Sequence, residues 1–177
     1  MVELPMEEIN FSGYTALVVD DEPPFRRFFK TLLEKAMKFK VFEASNPLDA
    51  FQIMDENKVD LIILDMEMPI MDGFTALKKI RENEAFLSVP IIVCSALRSR
   101  DLFASLARLH IADYIIKPSN SPTIMAKVHN AMNKFYNLGL DNHEIASEDK
   151  LNPMGKNDSS IRPDEQSKES TTIIELS

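Results

Sequence analysis

The chain has 177 residues, 45% of them hydrophobic, which suffices for one domain of ordinary size with something left over. A formal charge of −8 argues against a nucleic-acid-binding surface, which needs a basic stripe for phosphates. Cys94 is the only cysteine, so an intramolecular disulfide and a cysteine metal cluster within one chain are both excluded, as suits a reducing cytoplasm.

Residues 1–13 read as an acidic lead. They carry acids where a secretory signal needs bases, and no window approaches the roughly 18 apolar residues of a membrane span. A soluble cytoplasmic protein without membrane contact is expected. Tyr14 to Val19 is the first apolar run, a strand that stops at Asp20, Asp21 and Glu22. Pro23 and Pro24 then open a helix, where the missing N–H costs nothing. Phe25, Phe28, Phe29, Leu32, Leu33 and Ala36 share one face of it, with Arg26, Arg27, Lys30 and Glu34 off that face. Val41 to Ala44 is the second strand, and Asn46 with Pro47 caps and starts a second helix carrying Phe51 and Met54.

Leu61 to Leu64 is too short and too β-branched for a helix and reads as a strand buried on both faces, ending in Asp65. Asp72 and Gly73 begin a third helix with Phe74, Leu77 and Ile80 inward. Val89 to Cys94 is a fourth strand, ending at Ser95 and Ala96, and a fourth helix over Arg98 to Leu109 holds Leu102, Leu106 and Leu109. Tyr114 to Ile116 is a fifth strand, ending in Lys117 and Pro118. A fifth helix runs from about Pro122 to Leu138 with Ile124, Val128, Ala131, Phe135 and Leu138 on one face.

Five strands alternating with five helices predict an α/β fold, a five-stranded parallel sheet with helices on both faces, (βα)5, over residues 14–139. Right-handed crossovers bring all strand ends to one edge. Beyond Gly139 the texture changes: residues 140–177 hold nine acids against four bases and almost no aromatic residue. Such a segment buries too little to offset its ordering entropy and is expected to be a mostly disordered tail. TTIIEL, Thr171 to Leu176, is the exception: a frayed apolar patch first of all, or else a short strand or a docking peptide for a partner or the domain itself.

The strand ends carry the chemistry. The first gives Asp20 and Asp21, the third Asp65, the fourth Ser95 and the fifth Lys117. Polar residues often end buried strands, and that explains any one of them; their convergence from four strands points to a site. Three carboxylates together repel one another unless a cation neutralises them, and hard oxygen ligands favour Mg²⁺ or Mn²⁺. Asp65 is then placed to attack a phosphoryl group, with Lys117, the metal and the Ser95 hydroxyl taking up charge on its oxygens.

These spaced residues resemble the receiver domains of two-component response regulators, especially the stand-alone chemotaxis type with its flavodoxin-like, doubly wound fold. The match covers roughly residues 14–138. Asp65 begins DMEMPIMDG, close to the family's D-x-x-M-P-x-M-D-G; Ser95 with Ala96 lies thirty residues after Asp65, and Lys117 with Pro118 fifty-two after it.

The resemblance implies that Asp65 accepts phosphate from a sensor histidine kinase or histidine phosphotransfer protein. Asp20 and Asp21, with the backbone carbonyl of Glu67, would hold Mg²⁺, and Ser95 and Lys117 would bind the phosphoryl group. Tyr114 occupies the switch aromatic position, which turns inward when the hydroxyl residue moves toward the phosphate, and a face of helix four, strand five and helix five would meet an unknown output protein. The chain would be a phosphoacceptor that assists its own phosphorylation and dephosphorylation, not a turnover enzyme. The Lys117–Pro118 bond is usually cis in the family.

Departures from the pattern are His110, where the family usually places Gly, and Asn46-Pro47 for a common Asn-Gly. Glu67 and Leu97 stand at positions that, in the family this chain resembles, tune phosphoryl lifetime. His110, His129 and His143 read as structural or solvated, and Cys94 as a small core residue. Two alternatives remain. An aspartyl-phosphate phosphatase of the haloacid-dehalogenase type wants Asp where this chain has Glu67. A truncated transcriptional regulator would need a DNA-binding domain, and the acidic tail has no two-helix pattern for one.

Overall fold

The computed structural model describes residues 9–137. In chain order these form β1 (Thr15–Val19), α1 (Pro23–Met37), β2 (Lys40–Ala44), α2 (Pro47–Glu56), β3 (Leu61–Asp65), α3 (Gly73–Glu82), β4 (Ile91–Ser95), α4 (Arg100–Ala107), β5 (Asp113–Ile116) and α5 (Ser121–Tyr136), with a 3-10 turn at Glu84–Phe86. All strands are parallel, in the order β2-β1-β3-β4-β5. The chain runs outward from β1 to β2 and returns on the other side as β3, so the sheet reverses direction between β1 and β3. That is where open α/β sheets leave a crevice beyond their carboxyl ends.

The two-residue period of the strands sorts the core into two layers. Leu17, Val19, Ile62, Leu64, Ile91 and Val93 face α2, α3 and α4, packing with Met54, Leu77, Ile80 and Leu106. Ala16, Val18, Leu61, Ile63, Ile92 and Ile115 face α1 and α5, packing with Phe29, Leu33, Ile124 and Val128. All five residues of β3 are buried, as its apolar run requires.

The element bounds differ from the sequence reading where side chains compete with the backbone. Pro90 has no N–H to give a ladder, and β4 starts at Ile91 rather than Val89. Ser99 caps α4 by accepting from the Leu102 N–H, which moves its start to Arg100. The buried stripe of α1 is narrower than expected: Phe29, Leu33 and Met37 are buried, whereas Phe28 is 38% exposed. In α5, Met132 and His129 are buried and Phe135 is half-buried.

The packed domain also reaches back into the expected lead, since Phe11 is buried, stacks on Phe39 at 4.7 Å and donates its N–H to Met37 O at 2.9 Å. Leu138, His143, the acidic stretch 140–177 and its TTIIEL segment lie outside the described residues. No helix among the described residues is long and apolar enough to cross a membrane.

Candidate functional site

Asp20 and Asp21 leave the end of β1 and Asp65 ends β3, on the two sides of the crevice. Their carboxylates come together, one oxygen from each lying within 4.8 Å of the others. Asp65 is 1% and Asp20 2% exposed. Local bonds aim them: Glu22 N–H donates to Asp20 Oδ1 at 2.8 Å, and Met66 N–H to Asp65 Oδ1 at 2.8 Å. Burial, with the Asp20 charge adding to it, raises the Asp65 pKa to about 6 against the pull of Lys117 and the Glu67 N–H.

Lys117 comes from the end of β5, where its N–H donates to Ser95 O at 2.9 Å and its bond to Pro118 is cis. Its ammonium lies 2.7 Å from Asp20 Oδ2 and 3.2 Å from Asp65 Oδ1. Burial lowers its proton affinity, but the bond to Asp20 and the charges of Asp65 and Asp20 outweigh that and leave it raised. One ammonium against three carboxylates leaves negative charge over, and the donor set is all oxygen. These residues fit a hard divalent cation.

Ser95 ends β4 fully buried, and its hydroxyl donates to Glu67 Oε2 at 3.2 Å. Glu67 is exposed, and its side chain turns to the end of β4, where it also accepts the Ala96 N–H at 3.3 Å. Tyr114, on β5, points inward at 8% exposure, donates its hydroxyl to Leu97 O at 2.6 Å and packs its ring 4.4 Å from Phe103. The structure therefore draws Asp20, Asp21, Asp65 and Lys117 into one cluster and sets Ser95, Glu67 and Tyr114 in a hydrogen-bonded row beside it.

Three residues escaped the sequence reading. Arg26 reads as a solvated base off the apolar face, yet its guanidinium donates to the carbonyls of Asp20 at 2.7 Å and Asp21 at 3.0 Å, tying down the acidic loop. The signal was its spacing of one and a half turns after the acid pair, with two prolines between. Phe25 places its ring 4.4 Å from Lys117 Nζ, a cation–π contact. Arg81 donates to the carbonyls of Phe86, Leu109 and His110, securing the turn after α4 in which His110 has φ 50°. Nothing local in the sequence foretells that link.

An open cavity of about 240 Å³ lies beside Lys117, between α1 and the β5–α5 turn, lined by Phe25, Phe28, Phe29 and Ile124. Cys94 borders it from below, its thiol pushed up to about 12 by burial. His129 is buried on α5 and His110 is exposed.

Comparison with known proteins gives the same picture. The family model described as response regulator receiver domain matches residues 16–129. The chain is 32% identical over 121 residues to chemotaxis protein CheY of Bacillus subtilis, covering 68% of this chain and 99% of that protein. It is 33% identical over 114 residues to sensor histidine kinase TmoS of Ectopseudomonas mendocina, which is 64% of this chain but 12% of that protein. The solved structure of Vibrio cholerae chemotaxis protein CheY4 has the same fold, with a TM-score of 0.64 at 24% identity over 67% of this chain and 98% of that one.

Proposed function

Because the chain belongs to the response regulator receiver domain family, we propose that Asp65 is its phosphoacceptor and that the domain is a signalling switch in a two-component pathway. The observation that carries this reading is the position of Asp65: buried at the end of β3, within reach of the Asp20 and Asp21 carboxylates, with Lys117 Nζ 3.2 Å from its Oδ1.

The chemistry is one displacement. A carboxylate oxygen of Asp65 attacks the phosphorus of a phosphohistidine on a sensor histidine kinase or histidine phosphotransfer protein. The P–N bond breaks as the P–O bond forms, and the imidazole leaves with the electron pair and takes a proton. Lys117 holds an ammonium against the phosphoryl oxygens, and the Ser95 hydroxyl donates to one of them. Asp20 and Asp21 with Asp65, and by the family resemblance the backbone carbonyl of Glu67, would hold Mg²⁺, or Mn²⁺ in its place, and the bound ion would supply the remaining positive charge for the transfer. The chain is a stoichiometric acceptor in the cytoplasm, not a turnover enzyme.

The signal leaves by the face of α4, β5 and α5. α4 contributes a single buried residue, Leu106, against six in α5, so it has little packing to lose when it moves. Ser95, the loop to Leu97 and Tyr114 connect Asp65's neighbourhood to that face, and an output protein reads it. The test is transfer of labelled phosphate from a phosphorylated histidine kinase: about one equivalent on this chain supports the reading. Sustained phosphomonoester turnover beyond one equivalent would favour a phosphatase instead.

A further inference from the structure

Glu67 is an exposed residue whose carboxylate is nevertheless engaged. Its Oε2 accepts from the Ser95 hydroxyl at 3.2 Å and from the Ala96 N–H at 3.3 Å, both at the end of β4. The bonds continue beyond Ser95. The Leu97 N–H donates to Ser95 Oγ at 3.1 Å, and Leu97 O accepts from the Tyr114 hydroxyl at 2.6 Å. An unbroken row thus runs from Glu67 through Ser95 and Leu97 to the inward-turned Tyr114.

A carboxylate oxygen that accepts from one hydroxyl and one backbone N–H does what an oxygen of an aspartyl phosphate would do there. Both are anionic acceptors, and both gain charge-assisted bonds from the same donors. Two anions cannot share those donors without strong repulsion. Glu67 is free to yield, because it stands at the surface and its two bonds, at 3.2 and 3.3 Å, are longer than the usual O–H···O and N–H···O ranges.

We propose that the Glu67 carboxylate is an internal surrogate for the phosphoryl group: in the unphosphorylated protein it takes the Ser95 hydroxyl and the Ala96 N–H, keeps Tyr114 turned inward, and must swing out before Asp65 is phosphorylated. The proposal rests on the reading of Asp65 as phosphoacceptor and adds a regulator to that site. It has two consequences. The resting switch already sits near its phosphorylated arrangement, and phosphorylation is slowed by the need to displace Glu67.

The experiment uses the full chain as wild type, Glu67→Gln and Glu67→Ala. Metal-free NMR spectra follow the Ala96 amide and the Tyr114 ring; a small acyl phosphate with Mg²⁺ then gives the rate of adduct formation on Asp65. Glu67→Ala is expected to shift both signals in the unphosphorylated protein and to speed phosphorylation roughly three- to thirty-fold. Glu67→Gln, which keeps the acceptor oxygen but not the charge, falls between. Unchanged Ala96 and Tyr114 signals in Glu67→Ala, or a rate that is equal or slower, would overturn the surrogate role while leaving Asp65 the acceptor. No adduct in any protein, wild type included, would instead remove the phosphoacceptor reading and the surrogate with it.

Discussion

Lys117 bridges the two buried acids of the site, its Nζ 2.7 Å from Asp20 Oδ2 and 3.2 Å from Asp65 Oδ1. It therefore occupies a place between the carboxylates that a divalent cation would also neutralise. Lys117→Ala is expected to tighten Mg²⁺ binding, by about tenfold, because the competing ammonium is gone. The same change slows phosphorylation of Asp65 by roughly 10²-fold or more, since charge on the phosphoryl oxygens loses a partner. Calorimetric titration with Mg²⁺ and single-turnover phosphorylation check the two effects; a loss of both together contradicts this division.

The raised proton affinity of Asp65 sets a pH dependence. Its folded pKa of about 6, caused first by burial, lies above its ordinary value of 3.8. In the metal-free protein the folded state holds this proton more tightly, so the ionised group costs stability that appears as pH rises from about 4 to about 6. Asp65→Asn should match wild type near pH 4 and exceed it at pH 7 by about 3 kcal/mol. Mg²⁺ affinity should fall about tenfold per pH unit below 6 as protons compete. Urea denaturation across pH measures the first, and a difference that stays constant with pH contradicts it.

Gly73 opens α3 where the loop after Asp65 folds back. A Cβ there would overlap the carbonyl oxygen of Asp65 and come 2.7 Å from the Met66 Cα, both backbone atoms with nowhere to go. Gly73→Ala is expected to cost about 2–3 kcal/mol and to displace the Asp65 backbone. Thermal unfolding reads the loss, and reduced Mg²⁺ affinity reads the displacement.

Arg81 holds three carbonyls at once, those of Phe86 at 2.7 Å, Leu109 at 3.1 Å and His110 at 3.1 Å. Arg81→Lys keeps the charge but cannot reach all three, because an ammonium is a single point. Both Arg81→Lys and Arg81→Ala should destabilise, the latter by about 2–4 kcal/mol. Hydrogen exchange should quicken first at the Leu109 and His110 amides; exchange that quickens uniformly along the chain would show that Arg81 does not act locally.

Much of this was legible in the sequence because strand ends in a parallel sheet are fixed by period and crossover. The short apolar run at 61–64 and the breaks at Asp20, Ser95 and Lys117 suffice to bring those residues to one edge. What stayed hidden depends on long side chains crossing between elements. Arg81 and the carboxylate of Glu67 each reach backbone groups far along the chain that sequence neighbours do not announce, whereas Arg26 had only its spacing after the acid pair to mark it. The exposed Phe28 was misplaced for the opposite reason, since helical period alone makes the apolar face of α1 wider than the sheet can cover. The γ-type turn at Ile70, where Met71 N–H donates to Pro69 O at 2.8 Å and φ is 73°, is announced by nothing in the sequence. A β-branched residue is a poor candidate for that conformation.

The most direct test of the account is intact mass after incubation with Mg²⁺ and a small acyl-phosphate donor. The account predicts a single phosphoryl adduct on wild type, absent in Asp65→Asn and absent when Mg²⁺ is withheld. An adduct that persists in Asp65→Asn would contradict it.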